Sequence, residues 1–447
     1  MKRAEFFPEH IHTVLDRLGE AGYEACPVGG CVRDTLLGMA PADWDVCTSA
    51  RPEETAAVFA DCHCIDTGAK HGTITVVIDH RPVEITTYRT EQGYADNRHP
   101  DTVAFVSSLE EDLARRDFCI NAMAFRPDGT IVDLFGGADD LRDGLIRAVG
   151  DPESRFKEDA LRILRGLRFA ARLDFSIEAN TARAMERCKE LLHNIAPERI
   201  FTELKGILVG PGAGRILREY PEIFFTIVPE LRPCLGFRQH SPYHIHDIWT
   251  HITYAVEAAP AEPVLRLAML FHDIGKPETF SLDEGGVGHF YGHAKAGIAL
   301  ADKILRRLRC DNAARETVLR LIEYHDMRPP QEKKSVRRLL VRFGEEDLRR
   351  LLACWRADCA DRAEDVRREH LIYIRGTETL LEEILRDESC FSLRDLAVNG
   401  GDILALGVEK GPGVGRILQE LFRMVLEEEL PNDRNTLLRE AKNLAKM

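Results

Sequence analysis

Two aspartates separated by one residue, Asp43 and Asp45, follow shortly after the stretch Pro27-Val-Gly-Gly-Cys-Val-Arg-Asp34, and together they carry the first chemistry in the chain. Residues two apart on a strand share a face, so a strand here presents two hard carboxylates to one side, a donor set suited to magnesium, with Trp44 and Val46 pointing the other way. Gly29 and Gly30 predict a strand-to-helix turn where backbone amides can approach a triphosphate, and Arg33 adds positive charge one helical turn in. That helix is expected from Val32 to about Leu37, closed by Gly38. Either pair alone is commonplace, as a turn or a solvated strand edge. In this order and at this separation they point to nucleotide chemistry at a metal ion.

The surrounding elements must position these groups. Residues 8 to 22 read as a helix with Ile11, Val14, Leu15 and Leu18 on one face, and a strand over 24–28 feeds the glycine turn. Two β-branched runs, 72–78 and 83–89, predict strands separated by a turn at Asp79-His-Arg-Pro82, which suits a small mixed α/β palm. Glu84 lies on the second run, either as a third carboxylate or as a solvated strand residue. Residues 91–102 are polar and unpatterned, a loop of functional length. Next, 109–124 reads as an apolar helix interrupted by Asp112, Arg115, Arg116, Asp117 and Asn121. Polar groups at that density need partners, either each other or a ribose and its phosphates.

Beyond a glycine turn at 133–137 the pattern is helical to the end. Over 155–172, Asp159, Arg162, Arg165 and Arg168 recur every three residues as a stripe, while Leu161, Leu164, Leu167 and Phe169 cover the buried side. Such a stripe is ordinarily a solvated face; a carboxylate one turn from an arginine also offers the acceptors and donors that read a base edge. A second constellation comprises His251, adjacent His272 and Asp273 on a helix capped by Gly275 and stopped by Pro277, then His293, His325 and Asp358. Imidazole beside carboxylate gives a mixed ligand set for a divalent transition metal. Near the end, Lys410, Gly411, Gly413, Gly415 and Arg416 precede a helix, as a phosphate-binding turn or simply a tight connection between helices.

The 447 residues allow three or four domains, and 44% hydrophobic residues supply ample core. A formal charge of −14 excludes a wholly basic nucleic-acid coat, so an RNA-binding face must be a local stripe on an acidic body. No long apolar segment predicts a signal peptide or a membrane span, which leads us to expect a cytoplasmic protein without a membrane or an obligate protein partner. The 12 cysteines lack C-x-x-C pairs and read as reduced core residues.

The Gly-Gly turn with its two aspartates resembles the active-site signature of the DNA polymerase beta-like nucleotidyltransferase superfamily. Four ordered stretches narrow this: Gly29-Gly-Cys-Val-Arg-Asp with Asp43-Trp-Asp, Arg115-Arg-Asp-Phe-Cys-Ile-Asn-Ala, Glu158-Asp-Ala-Leu-Arg-Ile-Leu-Arg, and Ala196-Pro-Glu-Arg-Ile200. They resemble successive motifs of the class II tRNA nucleotidyltransferases, the CCA-adding enzymes, strongly over the first ~210 residues and more loosely beyond. Cys119 departs from the family's usual threonine at similar volume. The order His251, His272-Asp273, Asp358 is similar to the HD-domain phosphohydrolases, a domain that some CCA-adding enzymes carry.

The resemblance implies an α+β chain: a small polymerase-beta-like head with a mixed sheet (1–145), then an all-α neck for base recognition (146–215), an HD body (216–372) and a tRNA-binding tail (373–447). It implies C, C and A addition to tRNA from CTP and ATP. Gly29, Gly30 and Arg33 would hold the triphosphate, Asp43 and Asp45 Mg2+, and Arg116 with Asp117 and Asn121 the ribose and phosphates. Asp159 and Arg162 would pair with the base, supported by Arg165 and Arg168. The alternatives are a CC-adding enzyme, a poly(A) polymerase, or an HD metal-dependent phosphohydrolase whose head only binds RNA.

Overall fold

A computed structural model describes every residue except 1–6, 67, 69–71, 93–101, 107, 242–244, 387–392, 428 and 446–447. The chain divides into two units, Met1–Arg232 with Arg306–Cys310, and Pro233–Leu305 with Asp311–Met447. Among the described residues no helix is long and apolar enough to cross a membrane.

The first unit opens with α1 (Glu9–Glu20), whose Ile11, Val14, Leu15 and Leu18 are buried as their spacing requires. Then follow β1 (Ala25–Pro27), α2 (Gly30–Leu36), β2 (Asp45–Thr48), α3 (Pro52–Val58), β3 (His63–Ile65), β4 (Thr73–Ile78) and β5 (Arg81–Thr87). The strands form one mixed sheet in the order β1-β2-β5-β4-β3, with β2 and β5 parallel and the other pairs antiparallel. The β4–β5 turn is tighter than expected: Asp79 and His80 alone make it, both at positive φ (49° and 61°). Pro82 therefore lies in β5 rather than in the turn. It is tolerated there because β2 pairs only with residues 84–87, leaving Pro82 no ladder neighbour on that side. β6 (Arg89–Gln92) and β7 (Thr102–Phe105) pair antiparallel; residues 93–101, the greater part of the expected loop, lie outside the described residues.

Residues 109–124 are not one helix. α4 (Leu109–Ala114) ends early, a 3-10 turn covers Cys119–Asn121, and β8 (Met123–Phe125) pairs with β9 (Ile131–Asp133). The backbone is drawn away instead: Cys119 N–H donates to Arg147 O (2.9 Å) and Val149 N–H to Asp117 O (3.1 Å). α5 (Gly137–Asp143) and β10 (Leu145–Ile146) lead to α6 (Pro152–Glu158) and α7 (Leu161–Leu173). The single helix expected over 155–172 is thus broken at Asp159, which is extended (φ −137°, ψ 104°) and accepts from Leu161 N–H (3.0 Å). β11 (Ser176–Ile177) pairs with β10, and α8 (Ala179–Cys188), α9 (Pro197–Leu208), α10 (Ala213–Glu219) and α11 (Pro221–Ile227) complete the unit, with α9 packed on α7.

The second unit is helical: α12 (Ile248–Ala258), α13 (Pro263–Phe271), α14 (Lys276–Thr279), a hairpin of β12 (Ser281–Leu282) and β13 (Gly288–His289), α15 (His293–Arg307), α16 (Asn312–Tyr324), α17 (Lys333–Asp358) and α18 (Glu364–Arg386). α17 is kinked at Gly344 (φ 72°). Position 372/373 falls inside α18. The last segment, α19 (Gly400–Ala405), α20 (Pro412–Leu426) and α21 (Arg434–Leu444), closes over Ile403, Ile417, Leu421 and Leu437. Pro277 does not stop a helix here; it sits in the first turn of α14, where its missing N–H costs nothing.

Gly275 has a role beyond capping. A Cβ there would lie 2.3 Å from His293 O and 2.5 Å from Gly297 N, so only a bare backbone lets the start of α15 approach residues 272–275. Gly275→Ala should therefore destabilise the second unit by about 1–3 kcal/mol through forced backbone displacement. Thermal unfolding followed by near-UV circular dichroism checks this; an unchanged midpoint would show that the crossing is looser than the structure has it.

Candidate functional site

β1 delivers the chain to Gly29, whose φ of 80° favours glycine and where a Cβ would sit 3.0 Å from Arg116 Nη1. Its own N–H donates to Met123 O (3.1 Å), so of the two glycines only Gly30, the first residue of α2, keeps an amide at the open end of the turn. α2 starts two residues earlier than expected, which puts Arg33 on a buried face. There its Nε donates to Asp34 Oδ1 (2.8 Å) and its Nη1 to Asn121 Oδ1 (2.8 Å), and it lies 5.3 Å from the centre of the Phe169 ring.

Asp45 opens β2, whereas Asp43 precedes the strand and is exposed, so strand alternation does not explain how the two face each other. The register adds a third carboxylate, because Glu84 of β5 is the pairing partner of Asp45 in the parallel ladder. Burial, and then the charges of Asp43 and Glu84, push the Asp45 carboxyl up to about 6 against the opposing pull of Arg116. A cation between these acids would relieve that repulsion.

Asp112 is fully buried and holds both arginines of the next motif, accepting from Arg115 Nε (3.0 Å) and Nη2 (2.7 Å) and from Arg116 Nη2 (3.1 Å). Asp117 accepts from Arg165 Nε (2.8 Å) and from Asn121 Nδ2 (3.4 Å). Burial alone would raise the Asp117 carboxyl; the charges of Arg165 and Arg162 and its hydrogen bonds outweigh this and hold it below the usual range. One continuous chain of contacts, Asp34–Arg33–Asn121–Asp117–Arg165, thus joins the glycine turn to α7.

The arginine stripe is not a solvated face. Arg162 is buried; it donates to Glu158 Oε2, to Arg155 O (3.1 Å) and to Arg115 O (3.2 Å). Arg168 Nε donates to Glu203 Oε2 (2.6 Å), and its guanidinium lies over the Phe169 ring at 4.6 Å. Asp159 Oδ2 accepts from Arg199 Nη2 (3.0 Å). Glu158, Arg199 and Glu203 are the members that reading the sequence missed. Glu158 and Arg199 stand within the quoted motifs; Glu158 pairs with Arg155 and Arg162 at the i,i+3 and i,i+4 spacing that could have named it, whereas nothing in its spacing gives Arg199 a partner 40 residues away.

The histidine and aspartate constellation of the second unit does converge. His251, His272, Asp273 and Asp358 place one ligand atom each within 4.8 Å of one another, and Asp273, His293 and His325 form a second such group. All six are buried. The Nδ1 of His272, His293 and His325 each lies on the carbonyl three residues earlier, Met269 (2.7 Å), Phe290 (2.9 Å) and Ile322 (2.7 Å). Nδ1 must be the protonated nitrogen in each, which turns Nε2 lone pairs inward. Two inward contacts, His251 Nε2 to His272 Nε2 and His293 Nε2 to His325 Nε2, are both 3.2 Å. For His293 and His325 neither nitrogen can donate, so only a shared cation makes the contact favourable. With protons as the only cations, burial disfavours charge on His251, yet Asp273, Asp358 and Asp361 outweigh it and raise its pKa to about 10. Lys276, also missed, is ion-paired with Asp273 Oδ2 (2.7 Å) and donates to Gln239 Oε1 (2.8 Å), and Arg362 donates to Asp358 Oδ2 (2.6 Å). Asp273, His293, His325 and Asp358 open onto a cavity of about 280 Å³.

In the tail only Gly411 precedes a helix. Pro412 starts α20, so Gly413 and Gly415 lie within it; Lys410 and Arg416 flank its start, both exposed.

Residues 26–147 match the family model of the poly A polymerase head domain, 174–232 that of the probable RNA and SrmB-binding site of polymerase A, and 293–441 that of tRNA nucleotidyltransferase domain 2. The CCA-adding enzyme of Limosilactobacillus fermentum is 35% identical, with 99% of this chain and 98% of that one aligned. That of Streptococcus gordonii is 34% identical over 96% and 97%. Among solved structures, the Bacillus stearothermophilus CCA-adding enzyme in complex with CTP superposes with a TM-score of 0.72 at 29% identity, over 98% of this chain and 97% of that one. The Thermotoga maritima CCA-adding enzyme complexed with tRNA shares the fold, at a TM-score of 0.59 and 20% identity over 98% and 96%. Likeness along the whole length, on a chain whose motif residues meet in one connected network, leaves a single assignment: this chain belongs to the CCA-adding enzyme family.

Proposed function

We propose that this chain adds C, C and A to the 3′ end of tRNA, taking CTP and ATP and using no nucleic-acid template. The observation that carries the reading is the contact chain from Asp34 to Arg165, which holds a triphosphate-binding turn and a base-reading helix in fixed relation. In the reaction, the terminal hydroxyl oxygen of tRNA attacks the α-phosphorus in line, and the new P–O bond forms as the bond to pyrophosphate breaks. Gly30 and Arg33 bind the triphosphate beside Gly29. Arg116, oriented by Asp112, takes the ribose and phosphates, with Asp117 and Asn121 fixing its surroundings. Asp43 and Asp45 would hold Mg2+, which when bound would offset the charge that develops at the reacting phosphate. Asp159 and Arg162 meet the base edge, held in plane by Arg199 and Glu158, while Arg165 and Arg168 support them. Lys410 and Arg416, at the start of α20 beside Gly411, meet the tRNA backbone; Gly413 and Gly415 add no side chain to that first turn. The parts act as head (1–145), neck (146–215), body (216–372) and tail (373–447), in the cytoplasm.

The metal-ligand geometry favours a second activity in the body. His251, His272, Asp273 and Asp358 would hold a divalent transition metal, and His293 and His325 with Asp273 would hold a second ion or a substrate phosphate. Such an ion, when bound, would supply an activated water. Lys276 and Arg362 orient the carboxylates and offer positive charge to a phosphoester in the cavity, where water adds to phosphorus as the ester oxygen leaves. Terminal or cyclic phosphates on RNA suit the role, since their removal restores the hydroxyl that the head extends.

Incubating tRNA that lacks its last three nucleotides with CTP, ATP or both tests the main reading. Wild type should complete CCA only with both nucleotides, which separates it from a CC-adding enzyme and from a poly(A) polymerase. Asp43→Ala or Asp45→Ala should abolish every addition while tRNA affinity stays within a few-fold, and Arg162→Ala should weaken base preference by about 1–3 kcal/mol. Substantial turnover by the double aspartate variant would refute the metal assignment.

A pH effect follows from Asp45. Its folded pKa lies above that of an unfolded aspartate, so its protonation stabilises the ion-free fold fully below about pH 4, and that contribution is lost as pH rises through about 6. Thermal scans should show Mg2+ stabilising the wild type more at pH 8 than at pH 5, with the pH dependence flattened in Asp45→Asn. A Mg2+ shift equal at both pH values would rule this out.

For the body, phosphatase and 2′,3′-cyclic phosphodiesterase assays with manganese, nickel, cobalt and zinc should find an activity that Asp273→Ala removes. Turnover absent with every metal, or indifferent to Asp273→Ala, would leave the body a scaffold.

A further inference from the structure

Beside the metal-ligand cavity of the second unit runs a second groove, of about 660 Å³, lined by Ile245, Arg362, Arg367, Arg368, Ile372 and Arg375 among others. The two share one wall: Arg362 lines both, and its Nη2 donates to the ligand residue Asp358 (2.6 Å). The remaining arginines belong to the first half of α18 and are exposed. Arg368 has a solvated partner in Glu364 (3.2 Å), but among the described residues Arg367 and Arg375 have no carboxylate partner. In a chain of net charge −14, a groove with four arginines and one glutamate along it is a local reversal of sign. Ile372 (62% exposed) and Ile245 (61%) stand among these charges, apolar surface that a solvated ion-pair face would not need. At the mouth of the ligand cavity Tyr291 is 80% exposed and stacked on His289 (5.3 Å between ring centres, 7° between planes). That leaves a flat aromatic face open beside the cluster.

We infer that this groove is a track for single-stranded RNA, which leads the phosphate-bearing end of a strand past Arg362 to the Asp273 cluster. The inference rests on the reading of that cluster as a phosphohydrolase, and it deepens that reading by naming the surface that distinguishes a polynucleotide from a mononucleotide. Arginines spaced along a groove meet successive backbone phosphates, aliphatic side chains between them meet sugar and base, and an aromatic plane takes a terminal base regardless of its identity. Arg368 and Arg375 are separated by about 10 Å of helix rise, too far to clamp one phosphate. An isolated mononucleotide would reach the metal cavity but not this run of charge.

The test compares a short RNA ending in a 2′,3′-cyclic phosphate with the 2′,3′-cyclic mononucleotide, using the full chain and the double variant Arg367→Glu, Arg375→Glu. The variant should raise KM for the RNA about tenfold or more and reduce the dependence of log(kcat/KM) on log salt by about 1.4, two phosphate contacts at about 0.7 each. Mononucleotide turnover serves as the internal control, and Arg367→Lys, Arg375→Lys should retain the RNA preference. Parallel losses on both substrates, or no loss on either, would overturn the track. If no divalent metal supports hydrolysis of either substrate, the phosphohydrolase reading fails, and the track is decided by photo-crosslinking of a 4-thiouridine-labelled RNA to wild type. Crosslinks within residues 362–375 that the double variant loses support it, and their absence refutes it. Crosslinks displaced by an acidic peptide but not by unlabelled RNA would assign the groove to a protein segment instead.

Discussion

A nearly buried carboxylate must be fully engaged, and Asp117 meets that demand with groups from three parts of the first unit. Its backbone carbonyl accepts from Val149, one oxygen accepts from Phe118 N–H (2.9 Å) and Asn121, and the other accepts from Arg165. Removing any one partner leaves a desolvated charge short of a bond, which costs far more than the net gain from forming the pair. The position of α7 relative to the glycine turn is therefore set by hydrogen bonds as well as by apolar packing. Asp112 repeats the device beside it with two arginines. Such a frame holds planar side chains in one orientation, and a planar pairing group that can tilt loses its preference.

The second unit solves a different problem with the same economy. Three histidines are turned by carbonyls of their own preceding turns, so ring orientation is settled locally, before the helices assemble. What assembly adds is the close crossing at Gly275, which brings His293 Nε2 to 3.7 Å from Asp273 Oδ1. Orientation is encoded over three residues and convergence over about a hundred.

Much of this was legible because residue type limits chemistry more tightly than it limits backbone. The six histidines and aspartates, named from their order and their likeness to HD-domain proteins, do meet. The glycine turn and the helix after it also form, within two residues of where they were read. Partners were not legible. Periodicity reads which face a residue occupies, so Arg162, Arg165 and Arg168 looked like a stripe on one helix, whereas each is matched by an acid that lies outside α7. The continuous helix expected over 109–124 failed for a related reason: its backbone bonds are taken by residues 147–149, a competition invisible to local propensity. Asp43 and Asp45 were assigned to one strand, but the ladder begins only at Asp45, and the register that sets Glu84 beside it depends on how two distant segments align.

Asp273 belongs to both ligand groups, with Oδ2 3.3 Å from the Nε2 of His251 and of His272, and Oδ1 3.7 Å from those of His293 and His325. One carboxylate plane thus spans two potential wells. A cation settling in either would draw on charge shared with the other, so the two wells would fill as one coupled equilibrium described by two macroscopic constants. Neither constant belongs to a single pocket, and a substitution drawn against one well redraws both.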